Sequence, residues 1–367
     1  MWTTDSSAAP QMQQRLWEKQ RLRRQAGKGA AAALCLFGME FLLSAVQDVL
    51  RTLFPAFWER FAEALSGSIY LYLAYYAVIY LLSMGVPVLI GCLLLRGQLH
   101  IPHARTNPGL GCALVAGGMA LCIGANLITN YILNYLQAIG IVPNESPVLQ
   151  DGSVGAMLLN LLIIAVFPAI LEELLFRGVV LSALRPAGDR IAVGVSALMF
   201  GLMHTTLYQI PFAFLLGLVF GYVVVRTGNI RIAMALHFCN NAMSVLAEYA
   251  TWNFGENAQS VFYNVLFACV ALAGSVALCV LIFQKRPEVS PLGERPLSPL
   301  SSSERRRAVW CSPWMIVFTV ATLLMTMTNL TLQQPESSEP SDVPSVSSTA
   351  PSGSGERLQL PLIGWNS

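Results

Sequence analysis

The stretch Leu171–Glu172–Glu173–Leu174–Leu175–Phe176–Arg177 sits inside an apolar run from 155 to 181, with Leu-Leu-Ile-Ile-Ala-Val upstream and Gly-Val-Val-Leu directly after. A run of this length suffices for a bilayer-spanning helix, which needs about 20 predominantly apolar residues. Each ionised side chain near the centre of such a helix costs about 2.5–3.5 kcal/mol by insertion scales. Two carboxylates and a guanidinium in one spanning helix must therefore face other protein or a cavity. The stretch predicts a bundle of membrane helices around an ionisable site.

Two further stretches carry polar groups in apolar surroundings: Phe200–Gly201–Leu202–Met203–His204 and His237–Phe238–Cys239–Asn240–Asn241. The chain of 367 residues is 55% hydrophobic and only 11% charged, against about 25% charged for a soluble domain. Too little polar sequence remains for a soluble enzyme with a membrane anchor. The apolar runs are continuous rather than alternating, which predicts helices and not a β-barrel. The expected fold is all-α, a polytopic transmembrane bundle of about eight core helices plus a ninth, C-terminal helix. Spans are predicted near 30–50, 69–95, 109–135, 155–181, 191–208, 210–226, 231–249, 260–283 and 309–330.

The same reading divides the chain into a basic cytoplasmic N-tail (1–29), the bundle (30–283), a cytoplasmic linker (284–308), the last helix (309–330) and a disordered extracytoplasmic tail (331–367). The tail is rich in Ser, Pro and Glu, a composition that cannot bury a core. Eighteen Lys and Arg fall on the side of the N-terminus and three on the other, so the N-terminus is expected in the cytoplasm. The eight cysteines include no CxxC pair and read as small buried hydrophobes.

Glu172 lies 15 residues before Gly188, at the next cytoplasmic loop, and His204 lies 16 after it. In an antiparallel hairpin these two side chains reach similar depth. His237 and Asn241 approach the same layer from a third helix, four residues apart and so on one face. Glu173 and Arg177 stand i, i+4 and predict an ion pair, with Glu172 turned about 100° away to serve as general base or acid. His204 and His237 can bind a metal together with a Glu, or hydrogen-bond a carbonyl and its oxyanion. Asn241 can donate to an oxyanion or hold a histidine tautomer. Phe200 reads as cavity wall, Asn240 as packing, and His100 and His103 as solvated loop residues. Asn126, Asn130 and Asn134 predict interhelical hydrogen bonds. Gly217 and Gly221 permit a close helix approach.

The patterns EExxxR (Glu172, Glu173, Arg177), FxxxH (Phe200, His204) and HxxxN (His237, Asn241), in this order on successive apolar segments, resemble the CPBP intramembrane proteases. That family includes the type II CAAX prenyl endopeptidases and the bacteriocin-processing and self-immunity proteins. The resemblance covers roughly residues 150–250. It implies that Glu172 activates water with help from His204, that His237 and Asn241 stabilise the oxyanion, and that Glu173 with Arg177 supports Glu172. Both a metal-free glutamate mechanism and a divalent metal, such as zinc on Glu172, His204 and His237, fit these groups.

The expected partners are the lipid bilayer and a membrane-associated or lipidated peptide or protein substrate, with no nucleic acid. The expected location is a bacterial cell membrane. A proton-coupled transporter would show an inverted repeat with broken helices, and no second copy of these patterns occurs. A non-catalytic immunity or partner-binding protein is the remaining alternative.

Overall fold

The computed structural model describes residues 8–139, 151–283 and 298–331. The expected tail from 332 onward and most of the expected linker lie outside those residues. Within them the chain forms eleven helices: α1 (Ala8–Leu53), α2 (Pro55–Gly67), α3 (Ile69–Leu94), α4 (Pro108–Ala138), α5 (Val154–Ala187), α6 (Asp189–Met203), α7 (Gln209–Thr227), α8 (Ile230–Phe254), α9 (Glu256–Phe283), α10 (Ser302–Trp310) and α11 (Pro313–Thr331). Eight of them are long and apolar enough to cross a membrane. The protein is a polytopic helical membrane protein.

Helix starts follow local chemistry. The side chains of Ser68, Asn107, Ser153 and Asn229 each accept a main-chain N–H from the first turn of the helix that follows. Ser301 and Glu304 form a reciprocal capping box at α10. Helix α7 ends at Gly228, whose left-handed φ of 66° turns the chain into α8.

Three expectations need correction. The fifth predicted span, 191–208, is instead the 15-residue helix α6, too short to count among the spanning helices. The run of apolar residues hid its end, where the chain turns through His204 and Thr205. Helix α6 packs antiparallel on α7, because a Cβ on Gly201 would meet Phe214, one on Gly217 would lie 2.9 Å from Ala197 Cα, and one on Gly221 would meet Val193. The GxxxG pair thus sets a backbone-to-backbone approach within this hairpin.

Second, residues 8–29 are not a tail. They continue α1 unbroken, with Leu22, Ala26 and Ala30 buried against the bundle. At 1.5 Å per residue a helix of 46 residues extends about 70 Å, so part of it projects beyond the roughly 30 Å hydrocarbon layer.

Third, the last helix, which the sequence separates from the bundle by a linker, packs against the bundle. Its buried positions Met315, Phe318, Thr322 and Thr326 recur at three- and four-residue steps and form one stripe. Phe318 meets Phe37 of α1 at 6.2 Å between ring centroids. Before it, residues 302–308 of the expected linker and the first two of the expected last helix form helix α10, which Glu304 fastens to α1 through Arg15 and Lys19 at 2.8 and 3.0 Å.

Helix α2 is an unforeseen element. It is strongly amphipathic and carries exposed Phe57 beside exposed Phe54, while Leu65 is buried. An arrangement of this kind suits a helix lying along a membrane surface.

Candidate active site

Helix α5 carries the two carboxylates and is irregular on both sides of them. Leu161–Val166 and Leu174–Val180 are wound as π-helix, with the α-helical segment Phe167–Glu173 between. Widened turns of this kind are commonly found at functional sites. Pro168 contributes to the irregularity, having no N–H to give and a ring that crowds the carbonyl four residues earlier. That carbonyl, Ile164 O, accepts a hydrogen bond from Asn241 Nδ2 of α8 at 2.9 Å.

Glu173 is fully buried. Its Oε1 accepts from Arg177 Nη1 at 2.7 Å and from His237 Nδ1 at 3.0 Å. Arg177 is itself buried, donates to Gly217 O at 3.4 Å, and lies 4.4 Å from the Phe200 ring centre and 5.2 Å from that of Phe220. The guanidinium therefore has a carboxylate, a carbonyl and two aromatic faces in place of water.

Glu172 faces another way, as the 100° turn per residue requires. Tyr80 of α3 donates its hydroxyl to Glu172 Oε1 at 2.9 Å. Glu172 Oε2 lies 3.8 Å from His237 Nε2. Since His237 Nδ1–H is committed to Glu173, a neutral His237 turns the lone pair of Nε2 toward Glu172. The separation is too long for a direct hydrogen bond and short enough for both atoms to contact one water.

Glu172, Glu173, Arg177 and His237 thus form one contiguous cluster. His204 borders it through Phe200, whose ring lies 5.2 Å from His204 and 6.0 Å from His237 between centroids. His204 Nδ1 donates to Phe200 O at 2.9 Å, which leaves Nε2 as the available ring nitrogen. Asn241 stands apart from the carboxylates, one amide hydrogen on Ile164 O and its Oδ1 accepting from Asn240 at 3.1 Å.

Among the described residues no three His, Cys, Asp or Glu side chains are grouped to hold a metal ion. Glu172, His204 and His237 are therefore not gathered as a ligand set in this arrangement. His100 and His103 lie on the exposed loop between α3 and α4, where Ala104 and Pro102 hydrogen-bond to the α7–α8 turn.

A cavity of about 420 Å³ between α4, α7, α8 and α9 is lined by Met119, Cys122, Ile123, Asn126, Asn130, Phe212, Asn240, Met243, Ser244, Tyr263 and Phe267. Asn130 donates along α4 to Asn126 at 2.9 Å, a bond within one helix. The wall has amides and hydroxyls but no charge.

Sequence reasoning missed Tyr80, Phe220 and Pro168. Tyr72, Tyr76 and Tyr80 form a stripe on one face of α3, and a buried tyrosine hydroxyl needs a partner; that was the available signal.

Glu172, Glu173, Arg177 and His237 are thus a carboxylate–imidazole cluster buried in a multi-pass helical bundle. Residues 154–243 match the family described as type II CAAX prenyl endopeptidase Rce1-like. The match supports assigning this segment to the CPBP/CAAX protease family. No curated protein and no solved structure matches the chain.

Proposed function

We propose that the protein hydrolyses a peptide bond of a membrane-associated or lipidated peptide near the cytoplasmic face, using water activated by Glu172. The observation that carries this reading is the opposed pair Glu172 Oε2 and His237 Nε2 at 3.8 Å, inside a buried cluster. Water bound between them loses a proton to Glu172 as its oxygen attacks the peptide carbonyl carbon. The new C–O bond gives a tetrahedral oxyanion on the side of the cluster that His204 borders. Collapse breaks the C–N bond, and the proton held on Glu172 passes to the leaving amine.

Tyr80 and His237 hold the two sides of Glu172 and the water. Glu173 fixes the His237 tautomer, and Arg177 neutralises Glu173. The charge-free cavity between α4, α7, α8 and α9 suits an uncharged stretch of substrate. The excess of Lys and Arg on the N-terminal side of the bundle supports a cytoplasmic N-terminus.

The test is a survey of peptide termini in host membranes carrying the wild type or Glu172→Gln at matched expression, with and without a metal chelator. The proposal requires termini that appear with the wild type, persist under chelation and vanish in the variant. Identical profiles for wild type and variant would refute it. Loss of the termini under chelation would replace the metal-free step with a metal-dependent one.

A further inference from the structure

We infer that Asn329, on the C-terminal helix α11 and far outside the matched segment 154–243, is a positioning residue for His204. The inference concerns the arrangement of that histidine, and its catalytic consequence rests on the proposed function above.

Helix α6 ends at Met203, and the chain passes through His204 into Thr205, whose φ is 53°. Thr205 is the one non-glycine residue with positive φ among the described residues. A β-branched residue is strained in this conformation and persists there only where its surroundings hold it. Asn329 Nδ2 supplies the hold, donating to Thr205 O at 3.0 Å and to Thr205 Oγ1 at 3.2 Å.

The contact joins residues 124 apart in sequence. Half-buried Asn329 follows the buried Phe318, Thr322 and Thr326 along one face of α11, so the helix that delivers it is itself packed. Helix α10 docks on α1 just before α11 begins. His204 is directly bonded to the strained residue, and its Nδ1 is held at Phe200 O. The turn therefore fixes where Nε2 points. The C-terminal helix completes the site from outside the segment that carries the family motifs.

The experiment uses the full chain in phosphatidylethanolamine–phosphatidylglycerol nanodiscs and needs no substrate. Amide hydrogen exchange over 203–208, and the ring-nitrogen NMR chemical shifts of His204 and His237 at one fixed pH, are measured for the wild type, Asn329→Leu, Thr205→Gly and the double variant. Leucine keeps the size and apolar character of a membrane helix position while removing the donor.

Asn329→Leu should speed amide exchange in the turn about five- to tenfold and shift the His204 ring-nitrogen resonances, with those of His237 unchanged. Adding Thr205→Gly should return the His204 ring resonances toward those of Thr205→Gly alone, because glycine adopts this φ without strain. An unchanged His204 in Asn329→Leu overturns the inference, as does an equal shift in His237, which signals general loosening of the bundle. A wild type that cleaves no peptide defeats the proposed function while these exchange measurements still decide the role of Asn329.

Discussion

Asn241 and Pro168 meet at one atom: the amide of Asn241 bonds Ile164 O at 2.9 Å, the carbonyl that Pro168, four residues on, has no N–H to reach. In hydrocarbon an unpaired carbonyl has no water to turn to. The bond ties α8 to the irregular turn of α5 immediately ahead of the two glutamates. It gives Asn241 a structural task alongside the oxyanion role that the family resemblance implies.

The two roles separate in a double-mutant cycle. Asn241→Ala removes the α8 donor from Ile164 O and should cost about 0.5–1.5 kcal/mol of stability. Pro168→Ala restores the main-chain donor, so the same Asn241→Ala change in that background should cost measurably less in thermal unfolding. Equal loss of cleavage in both backgrounds at undiminished stability would assign Asn241 to the substrate instead.

Arg177 is the counter-charge of a fully buried carboxylate. Arg177→Met should destabilise the protein by about 3–5 kcal/mol, because Glu173 is left buried without its cation. Folded yield in detergent and thermal unfolding report this directly. Glu172→Gln removes no such partner and should fold at nearly wild-type yield. Equal stability of Arg177→Met and the wild type would mean that Glu173 is neutral in the folded protein.

Tyr80 holds Glu172 with its hydroxyl alone, since its ring packs beside Phe167 at 6.5 Å between centroids. Tyr80→Phe should keep the packing and lose a hydrogen bond to a charged group, worth about 1.5–3 kcal/mol. If that bond is made chiefly in the transition state, kcat should fall roughly 10- to 100-fold. An unchanged kcat would reduce Tyr80 to a packing residue.

Glu304 gives a pH-dependent contact outside the spans. Its carboxyl is held down to about 2, first by the main-chain N–H of Ser301 and then by Lys19 and Arg15. A carboxyl lowered on folding contributes stability above its ordinary value of 4.5 and loses that contribution as pH falls toward the folded value. A spin label at Ser303 should therefore stay immobile from pH 7 to about 5 and gain mobility at lower pH. Glu304→Gln should show greater mobility already at pH 7. A mobility that ignores both changes would contradict the docking of α10 on α1.

How much of this was readable beforehand depended on range. The i, i+4 spacing of Glu173 and Arg177 is local, and it placed the ion pair correctly. Counting residues from Gly188 brought His204 near the right layer, because helix rise converts sequence distance into depth. The same counting missed that α6 stops at Met203, since Thr205 and Thr206 look no different from residues that continue a helix. Tyr80 and Asn329 carry no motif; each is a single polar group whose meaning lies in a partner 92 or 124 residues away. The charge of the first 29 residues reads as a tail in sequence, whereas in the structure residues 8–29 are helical and bury Leu22 and Ala26.

The central claim is that Glu172 activates the water that breaks a peptide bond, and solvent labelling tests it most directly. The purified chain in nanodiscs is given a peptide identified by the terminus survey, in water enriched in oxygen-18. The account predicts that the wild type places the heavy oxygen in the new C-terminal carboxyl group, and that Glu172→Gln at equal folded yield forms no product. Cleavage by Glu172→Gln at the wild-type rate, with the same label in its product, would contradict it.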